Sequence, residues 1–402
     1  RYSVRGLRVG GPYTITITKD GKTEKRENVF LALAETTSLD AKFGSTTQSV
    51  ETIVVTGSAV GSDKFSNTAI GATTSIGRDQ LDALASIQRN LQDYARTDPR
   101  VSQTDKERGE ISVGGQNSRY NKITIDGVNI SDTFGLEANT LPTLKQPISI
   151  DAIASVQVNV SNYDVTQTGY TGGNINAVTK SGTNEFKGSV SYVTRNDDYV
   201  GKRYSRQTNT YTDSPKFKEE TKGFTLGGPI LKDKLFFYVG YEELTSTRNA
   251  PDFGPIGSNA SSVIGITPSA IAGVTALAQS QYRINLGDLN VSAGTELKVK
   301  DTLAKVDWNI NNNHRASVRY TKTDQVEPIY PNFFNTPSTA LSLSSDWYDQ
   351  VKTIETTVGQ WFADWTPTLS TEVKVSSRDY HSEPKNKSSL PTRLLTSIRR
   401  TL

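Results

Sequence analysis

The sequence predicts a mainly β protein: a small mixed domain followed by the first strands of a large antiparallel transmembrane β-barrel. Three observations carry that expectation. Short runs rich in Val, Ile and Thr at 122–125, 154–160 and 174–179 are each closed by Gly, Asn or Asp turn chemistry, which suits a small sheet. From residue 183 onward, apolar and polar residues alternate through longer runs, the period of strands with one apolar and one polar face. The segments joining those runs alternate as well, roughly 24, 3, 50, 4, 25 and 6 residues, as in outer-membrane barrels with short turns at one rim and long loops at the other. A soluble sandwich also alternates along its strands but has no reason to alternate its loops.

Residues 1–43 begin inside a β unit. Gly11-Pro12-Tyr13-Thr14-Ile15-Thr16-Ile17 alternates like a strand, Asp20-Gly21 supplies a hairpin turn, and 29–33 is the expected return strand. Residues 44–50 (GSTTQSV) form a polar linker. Behind it, Glu51-Thr52-Ile53-Val54-Val55-Thr56-Gly57 is either the first strand of the next domain or a segment that adds itself to another protein's sheet edge. Across 76–96 the spacing turns helical. Leu81, Leu84, Ala85 and Leu91 recur, Asp79 and Asp82 sit early where the helix dipole favours acids, and Asp98-Pro99 ends the stretch. Residues 131–147 read as a loop carrying Phe134, Leu136 and Leu141 among polar neighbours.

In the barrel-like part, Phe186, Val190 and Tyr192 alternate with Lys187, Ser189 and Ser191, and Phe224, Leu226 and Ile230 surround Thr225 and Gly227. Residues 235–241 are more apolar, with Phe236, Phe237, Tyr238 and Tyr241. Thr302, Ala304, Val306, Trp308 and Ile310 oppose Leu303, Lys305, Asp307 and Asn309, while Ala316, Val318 and Tyr320 oppose Arg315, Ser317 and Arg319. Thr357, Gly359, Trp361, Ala363 and Trp365 make a sixth run, Val373 with Val375 a seventh, and the tail after His381 reads as another outer loop. Val306, Trp308, Val318, Tyr320, Trp361 and Ala363 are expected to face lipid, with 197–220, 248–295 and 326–349 outside the cell and 311–313 in the periplasm. A plugged lumen belongs to barrels of about 22 strands, so most of such a barrel lies outside this sequence.

The totals exclude more than they assign. The chain has 402 residues, no methionine and no leader-like segment, and reads as an internal piece of a processed protein. With no cysteine it has no disulfide framework and no thiolate metal site. Net charge is +3 from 45 basic and 42 acidic residues, without the basic stripe of a nucleic-acid binder. No apolar run is long enough for a membrane helix. The two histidines, His314 and His381, fall in no ligand spacing. Paired acids such as Asp197-Asp198 and Glu242-Glu243 read as solvated charge, and no nucleophile elbow or phosphate-binding glycine loop is present. Neither catalytic residues, metal nor cofactor are expected: the protein is read as a non-enzyme.

The wording of the turns adds a resemblance. Ile125-Asp126-Gly127-Val128, Gly172-Gly173-Asn174-Ile175-Asn176 and Val178-Thr179-Lys180-Ser181-Gly182 resemble the plug of TonB-dependent outer-membrane transporters, closest to the Oar-like, OmpA-related branch. LGGPILKDKLFFYVGYE at 226–242 is similar to barrels of that branch, and RGLRVGGPYTITI to the end of the carboxypeptidase regulatory-like sandwich that often precedes its plugs. In one place the pattern departs: Val113-Gly114-Gly115 stands where the family usually has Arg before Gly, so no role for that Arg carries over. The likeness runs to about Tyr380 and implies four parts: sandwich end at 1–43, linker and TonB box at 44–57, plug at 58–182 and the N-terminal part of the barrel at 183–402.

What the resemblance implies about function is active import. An unidentified, large ligand such as a peptide, glycan or chelate binds from outside, and the TonB complex then pulls the plug by a periplasmic handle, Ile53, Val54 and Val55. Phe134, Leu136 and Leu141 stand at positions where plug loops of the family reach the ligand chamber. The expected setting is a monomeric barrel in outer-membrane lipid, alone or with accessory surface proteins, its plug inside and its N-terminal domain periplasmic. The alternatives are a surface-adhesion or secretion-assisting protein of the same fold, and a soluble carbohydrate-binding β protein.

Overall fold

The computed structural model describes residues 10–19, 22–31, 71–84, 86, 89–105, 108–134, 137–162, 169–205, 209–213, 216–247, 253–260, 262–289, 296–331, 339–366 and 369–387. At its start, β1 (Gly10–Lys19) pairs antiparallel with β2 (Lys22–Leu31), Lys19 lying opposite Lys22. The expected Asp20-Gly21 turn lies outside the described residues. The return strand starts well before residue 29, because the ladder continues through Lys25 and Arg26.

An inner domain follows. Its sheet has the order β3 (Gly71–Ile76), β8 (Ile153–Asn162), β9 (Asn174–Thr179), β6 (Lys122–Ile125), β7 (Val128–Asn129). The β6–β9 pairing is parallel and the others antiparallel. A small hairpin, β4 (Val101–Asp105) with β5 (Glu110–Val113), stands beside it. The three strand runs expected from sequence are β6, β8 and β9. β9 is buried at every position but Asn176, as fits a strand covered on both faces. Ile123, Ile125, Val156, Val158, Ile175 and Ala177 form the centre of the core, with Leu81 and Leu91 packed into it.

The helical stretch at 76–96 is broken. Ile76 ends β3, and two short helices follow, α1 (Arg78–Ala83) and α2 (Leu91–Ala95). Arg89 adopts φ +53°, a left-handed conformation that no continuous helix contains, and Asn90 then caps α2 by accepting the Asp93 N–H at 2.8 Å.

The rest is one antiparallel wall in chain order: β10 (Lys187–Asn196), β13 (Lys218–Leu231), β14 (Leu235–Ser246), β17 (Leu297–Asn309), β18 (His314–Ile329), β19 (Tyr348–Thr366) and β20 (Leu369–Asn386). Its connections are 197–217, 232–234, 247–296, 310–313, 330–347 and 367–368, so long and short alternate without exception. The first carries the hairpin β11 (Arg203–Ser205) with β12 (Thr210–Thr212). The third carries the parallel pair β15 (Phe253–Gly254) with β16 (Ser262–Val263) and the helix α3 (Pro268–Leu277). The third also bonds to the fifth, the Ser344 N–H donating to Asp288 O at 2.9 Å and the Ser345 N–H to Leu286 O at 3.2 Å. Among the described residues β10 and β20 are not paired with each other, so the wall is an open arc.

Strands are longer than the sequence suggested. Residues 218–220 and 326–329 belong to β13 and β18 rather than to loops, and β20 runs to Asn386 where an outer loop was expected after His381. A bilayer needs about 9–11 residues of strand, and β19 has 19. The surplus is what a strand that crosses a bilayer and continues beyond it would have, since backbone pairing does not depend on an apolar face.

Alternation sets the two faces. Along β17, Val299, Asp301, Leu303, Lys305, Asp307 and Asn309 are buried toward the inner domain, and the residues between them are exposed. Val306, Trp308 and Val318 are exposed on the outer face, as expected. Ala363 shares that outer parity but is buried. It pairs with His314, whose ring stacks on Trp361 at 5.8 Å and meets Trp365 edge-on at 5.0 Å, so the small side chain lies beneath larger neighbours.

Candidate functional site at the boundary of inner domain and wall

The three turn sequences noted above converge on one place. Asp126 at φ +49° and Gly127 at φ +75° make the two-residue turn from β6 to β7, left-handed positions that Asp and Gly tolerate. Asn176 Oδ1 accepts the Gly127 N–H at 3.0 Å and the Thr124 hydroxyl at 2.8 Å. The Asp126 carboxylate accepts the Thr179 N–H at 2.8 Å and the Thr179 hydroxyl at 2.9 Å. Entry into β9 needs glycine for a different reason, close approach. A Cβ on Gly172 would lie 2.4 Å from Asn121 Oδ1, and one on Gly173 would lie 2.5 Å from Val113 Cγ1.

Opposite this turn the wall brings cations. The Arg319 guanidinium donates to the Asp126 carboxylate and to Ile125 O, the second at 3.3 Å. Lys305 Nζ donates to Thr179 Oγ1 and Ser181 Oγ, both at 3.0 Å, and lies 3.7 Å from Asp307. Burial by itself would raise the Asp126 carboxyl, but Arg319 and Lys305 outweigh it and hold it below the usual carboxylate range. Breaking such a buried pair by removing one partner is costly, because the other charge stays buried and uncompensated.

A second set of ties lies nearer the long-connection end. Arg89 reaches Asp151 at 2.8 Å and Glu242 at 3.2 Å, and the Ser149 hydroxyl donates to Glu242 at 2.7 Å. The Leu144 N–H donates to Gln325 Oε1 at 2.9 Å, Lys352 to Glu137 at 2.6 Å, and Arg378 to Ser131 O at 3.0 Å. Apolar side chains share this boundary: Tyr238 and Leu303 join the inner core, Phe236, Leu244, Val299, Ile354 and Val358 are buried on the same face of the wall, and Gly240 leaves room for Ala152. A cavity of about 220 Å³ remains between Ser86, Arg89 and Lys145 on one side and Arg195, Glu219 and Thr221 on the other. Burial there lowers the Lys145 pKa, with Glu242, Glu219 and Asp301 opposing. The polar contacts of this boundary exchange for water at a modest net cost per bond.

Of the residues singled out from sequence, Phe134 is exposed in the 131–147 loop with its ring 6.2 Å from Tyr380. Leu141 is fully buried in the inner core, so here it packs. Leu136 lies outside the described residues, as do Ile53, Val54 and Val55. Glu242, read from sequence as solvated charge, is instead buried, because Arg89 and Ser149 satisfy its carboxylate. No site role was expected for the boundary residues Arg89, Asp126, Lys305 and Arg319. Asp126 had a signal in its turn motif, and Lys305 and Arg319 had one as charges on the polar face of otherwise barrel-like runs.

Residues 178–262 match the family described as Outer membrane beta barrel domain. The chain is 35% identical over 135 residues to the TonB-dependent transporter Oar of Myxococcus xanthus, a match spanning 33% of this chain and 12% of that protein. The chain resembles the Oar-like TonB-dependent transporters. Its fold is similar to that of the outer membrane transporter YddB from Escherichia coli, with TM-score 0.56, 13% identity, and 78% of this chain covered against 40% of that one. The siderophore receptor PirA from Pseudomonas aeruginosa also matches, at TM-score 0.49 and 12% identity over 78% of this chain and 41% of PirA. These relatives are transporters and receptors rather than enzymes, and the chain spans well under half the length of each.

The match of residues 178–262 to an outer membrane β-barrel domain puts this wall in the bacterial outer membrane, and its exposed apolar face is expected to meet lipid. Val318→Arg, at the middle of that face, is expected to cost about 2–4 kcal/mol in folding titrations into lipid. Thr357→Arg, on the same outer parity of the neighbouring strand, tests whether the band is continuous, since it pairs with Tyr320 two positions along. A negligible effect at Val318 would put that face elsewhere than in lipid.

Proposed function

We propose that the chain belongs to an active importer of the outer membrane, in which the inner domain is the plug and TonB supplies the pull. The observation carrying this reading is the boundary itself: an inner domain seated against a barrel wall by polar ties at two levels. The polar ties of such a seat can be exchanged for water under force and re-form afterwards at a modest net cost per bond. The cargo is taken up at the long-connection end, where the exposed Phe134 ring beside Tyr380 offers a contact for it. Cargo of peptide, glycan or chelate type suits the long connections 197–217, 247–296 and 330–347.

The handle in this reading is Ile53-Val54-Val55, a β-branched run behind a polar linker and ahead of the plug. Recognition by strand addition uses backbone donors and acceptors, so side-chain swaps are tolerated and proline is not. Val54→Pro is therefore expected to stop energised uptake while leaving thermal stability unchanged. A fall in stability alongside uptake would make 53–55 a structural strand and move the handle elsewhere.

A further inference from the structure

We propose that the outer face of the wall holds a phosphate-bearing lipid at a fixed place, its phosphate between Lys222 and Lys300 and an acyl chain in the trough that Thr302 and Ala304 leave on β17. This goes beyond the importer reading and does not depend on it. It rests on the wall's place in the membrane.

Alternation along the strands puts Lys218, Lys222, Lys298, Lys300, Lys322 and Lys385 on the outer face, each toward the long connections. At the other rim that face carries Trp308, Trp361 and Trp365 instead. Four of the lysines have acids: Lys218 lies 3.2 Å from Glu220, Lys298 3.8 Å from Glu296, Lys322 2.9 Å from Glu355 and Lys385 3.6 Å from Glu383. Lys222 and Lys300, both exposed, form no ion pair among the described residues. They share one row across the sheet, Lys222 opposite Glu243 and Glu243 opposite Lys300. Glu243 is engaged on its own strand, where it accepts the Tyr241 hydroxyl at 2.8 Å. On the far side of Lys300, Asp324 accepts the Thr353 hydroxyl at 2.9 Å and lies 3.8 Å from Lys322. With Glu243 counted, the two lysines still leave one surplus positive charge. Two strand spacings, about 10 Å, separate their backbones, a gap that two lysine side chains close onto one phosphate.

Beneath this row the surface is shaped for a hydrocarbon chain. Phe224, Tyr241 and Thr302 stand side by side one step nearer the short turns, the two rings 6.1 Å apart. Thr302 and then Ala304 are the next outward residues of β17 below Lys300, and both are exposed. Tyr241 flanks Thr302 on β14, and Tyr320 flanks Ala304 on β18. Small side chains between two tyrosines make a trough that leads to Lys300. A lysine stem lies along such a surface with its ammonium at the headgroup level, where lipid phosphates are. Apolar trough below and free ammonium groups above match the two ends of a lipid, whereas a free phosphate would use only the upper half.

The test is lipid retention by the complete outer-membrane protein in neutral detergent, read by native mass spectrometry, which needs neither cargo nor TonB. Dioleoyl phosphatidic acid is the probe; dioleoylglycerol supplies the chains without the phosphate, and inorganic phosphate the reverse. A single tight site for phosphatidic acid is expected. Lys222→Gln and Lys300→Gln should each weaken it about fivefold and the double variant about 25-fold, the worth of one and two lysines beside lipid phosphate. Lys322→Gln and Lys385→Gln, which remove lysines already paired, should bind as the parent does. Ala304→Phe fills the trough, keeps every charge and should also weaken binding. Lys222→Arg and Lys300→Arg should retain it, which separates loss of charge from loss of fold, and melting temperatures in detergent alone should be equal across the set. Unchanged binding by the double variant, equal loss from Lys322→Gln, equal retention of dioleoylglycerol, or displacement by inorganic phosphate at equal concentration would each overturn the proposal.

Discussion

Gly182→Ala is expected to prevent or severely weaken assembly of the wall on the inner domain. At Ser181-Gly182 the chain leaves β9 and passes under the wall before β10 begins. A Cβ at Gly182 would stand 2.3 Å from Phe237 O and 2.7 Å from Gly228 O, and 3.0 Å from Phe236 Cβ. The first two are backbone atoms of β14 and β13, which pair with each other at Gly228 and Phe237, so they have no rotamer through which to yield. Overpacking a core side chain costs about 1–3 kcal/mol and more where backbone must move, which puts this substitution at about 3 kcal/mol or above. Gly359→Ala, with nothing within 4 Å of its added Cβ, is the matched control on the same wall. Denaturant titration in detergent should find the first strongly destabilised and the second close to the parent. Equal behaviour would mean that the crossing from inner domain to wall is looser than described.

That glycine illustrates what a sequence carries and what it hides. Its motif, Val178-Thr179-Lys180-Ser181-Gly182, was visible as a turn, yet the reason for glycine lies in strands about fifty residues further along. Regular alternation made the wall legible, because a strand's two faces differ in what they touch and the pattern is local. The short turns were legible for the same reason. Strand lengths were not: beyond the lipid the outer face of β18 and β19 turns polar, at Lys322, Asp324, Thr353 and Glu355, and the contrast that marks a strand fades although the ladder goes on. In the inner domain β6 and β9 were legible from Val, Ile and Thr content. β3 was missed because GATTSI resembles a loop in composition, and its place is fixed by distant partners: Thr74 donates to the buried Asp98 at 2.6 Å, and Arg100 closes on the same carboxylate. Burial tends to raise that carboxyl, and the Arg100 and Thr74 hydrogen bonds hold it below its usual range. The boundary charges are the extreme case. Asp126 and Arg319 meet across the domain boundary, and nothing near either in sequence names the other.

The claim at the centre of this account is that the inner domain sits in the barrel as a plug and must move for import. Gly240 and Ala152 offer a direct way to stop that motion. A Cβ built on Gly240 lies 3.7 Å from the Ala152 Cβ, within the separation that disulfides span, and the chain has no cysteine to interfere. Ala152→Cys with Gly240→Cys should therefore form a bridge between inner domain and wall on oxidation, visible as a mobility shift that reductant reverses. With cells carrying this variant, depletion of compounds from the medium is followed by mass spectrometry before and after reduction. The account predicts a set of compounds depleted by reduced cells, spared by oxidised ones, and spared in either state when TonB is absent. Depletion that proceeds equally with the bridge closed would contradict a plug that has to move.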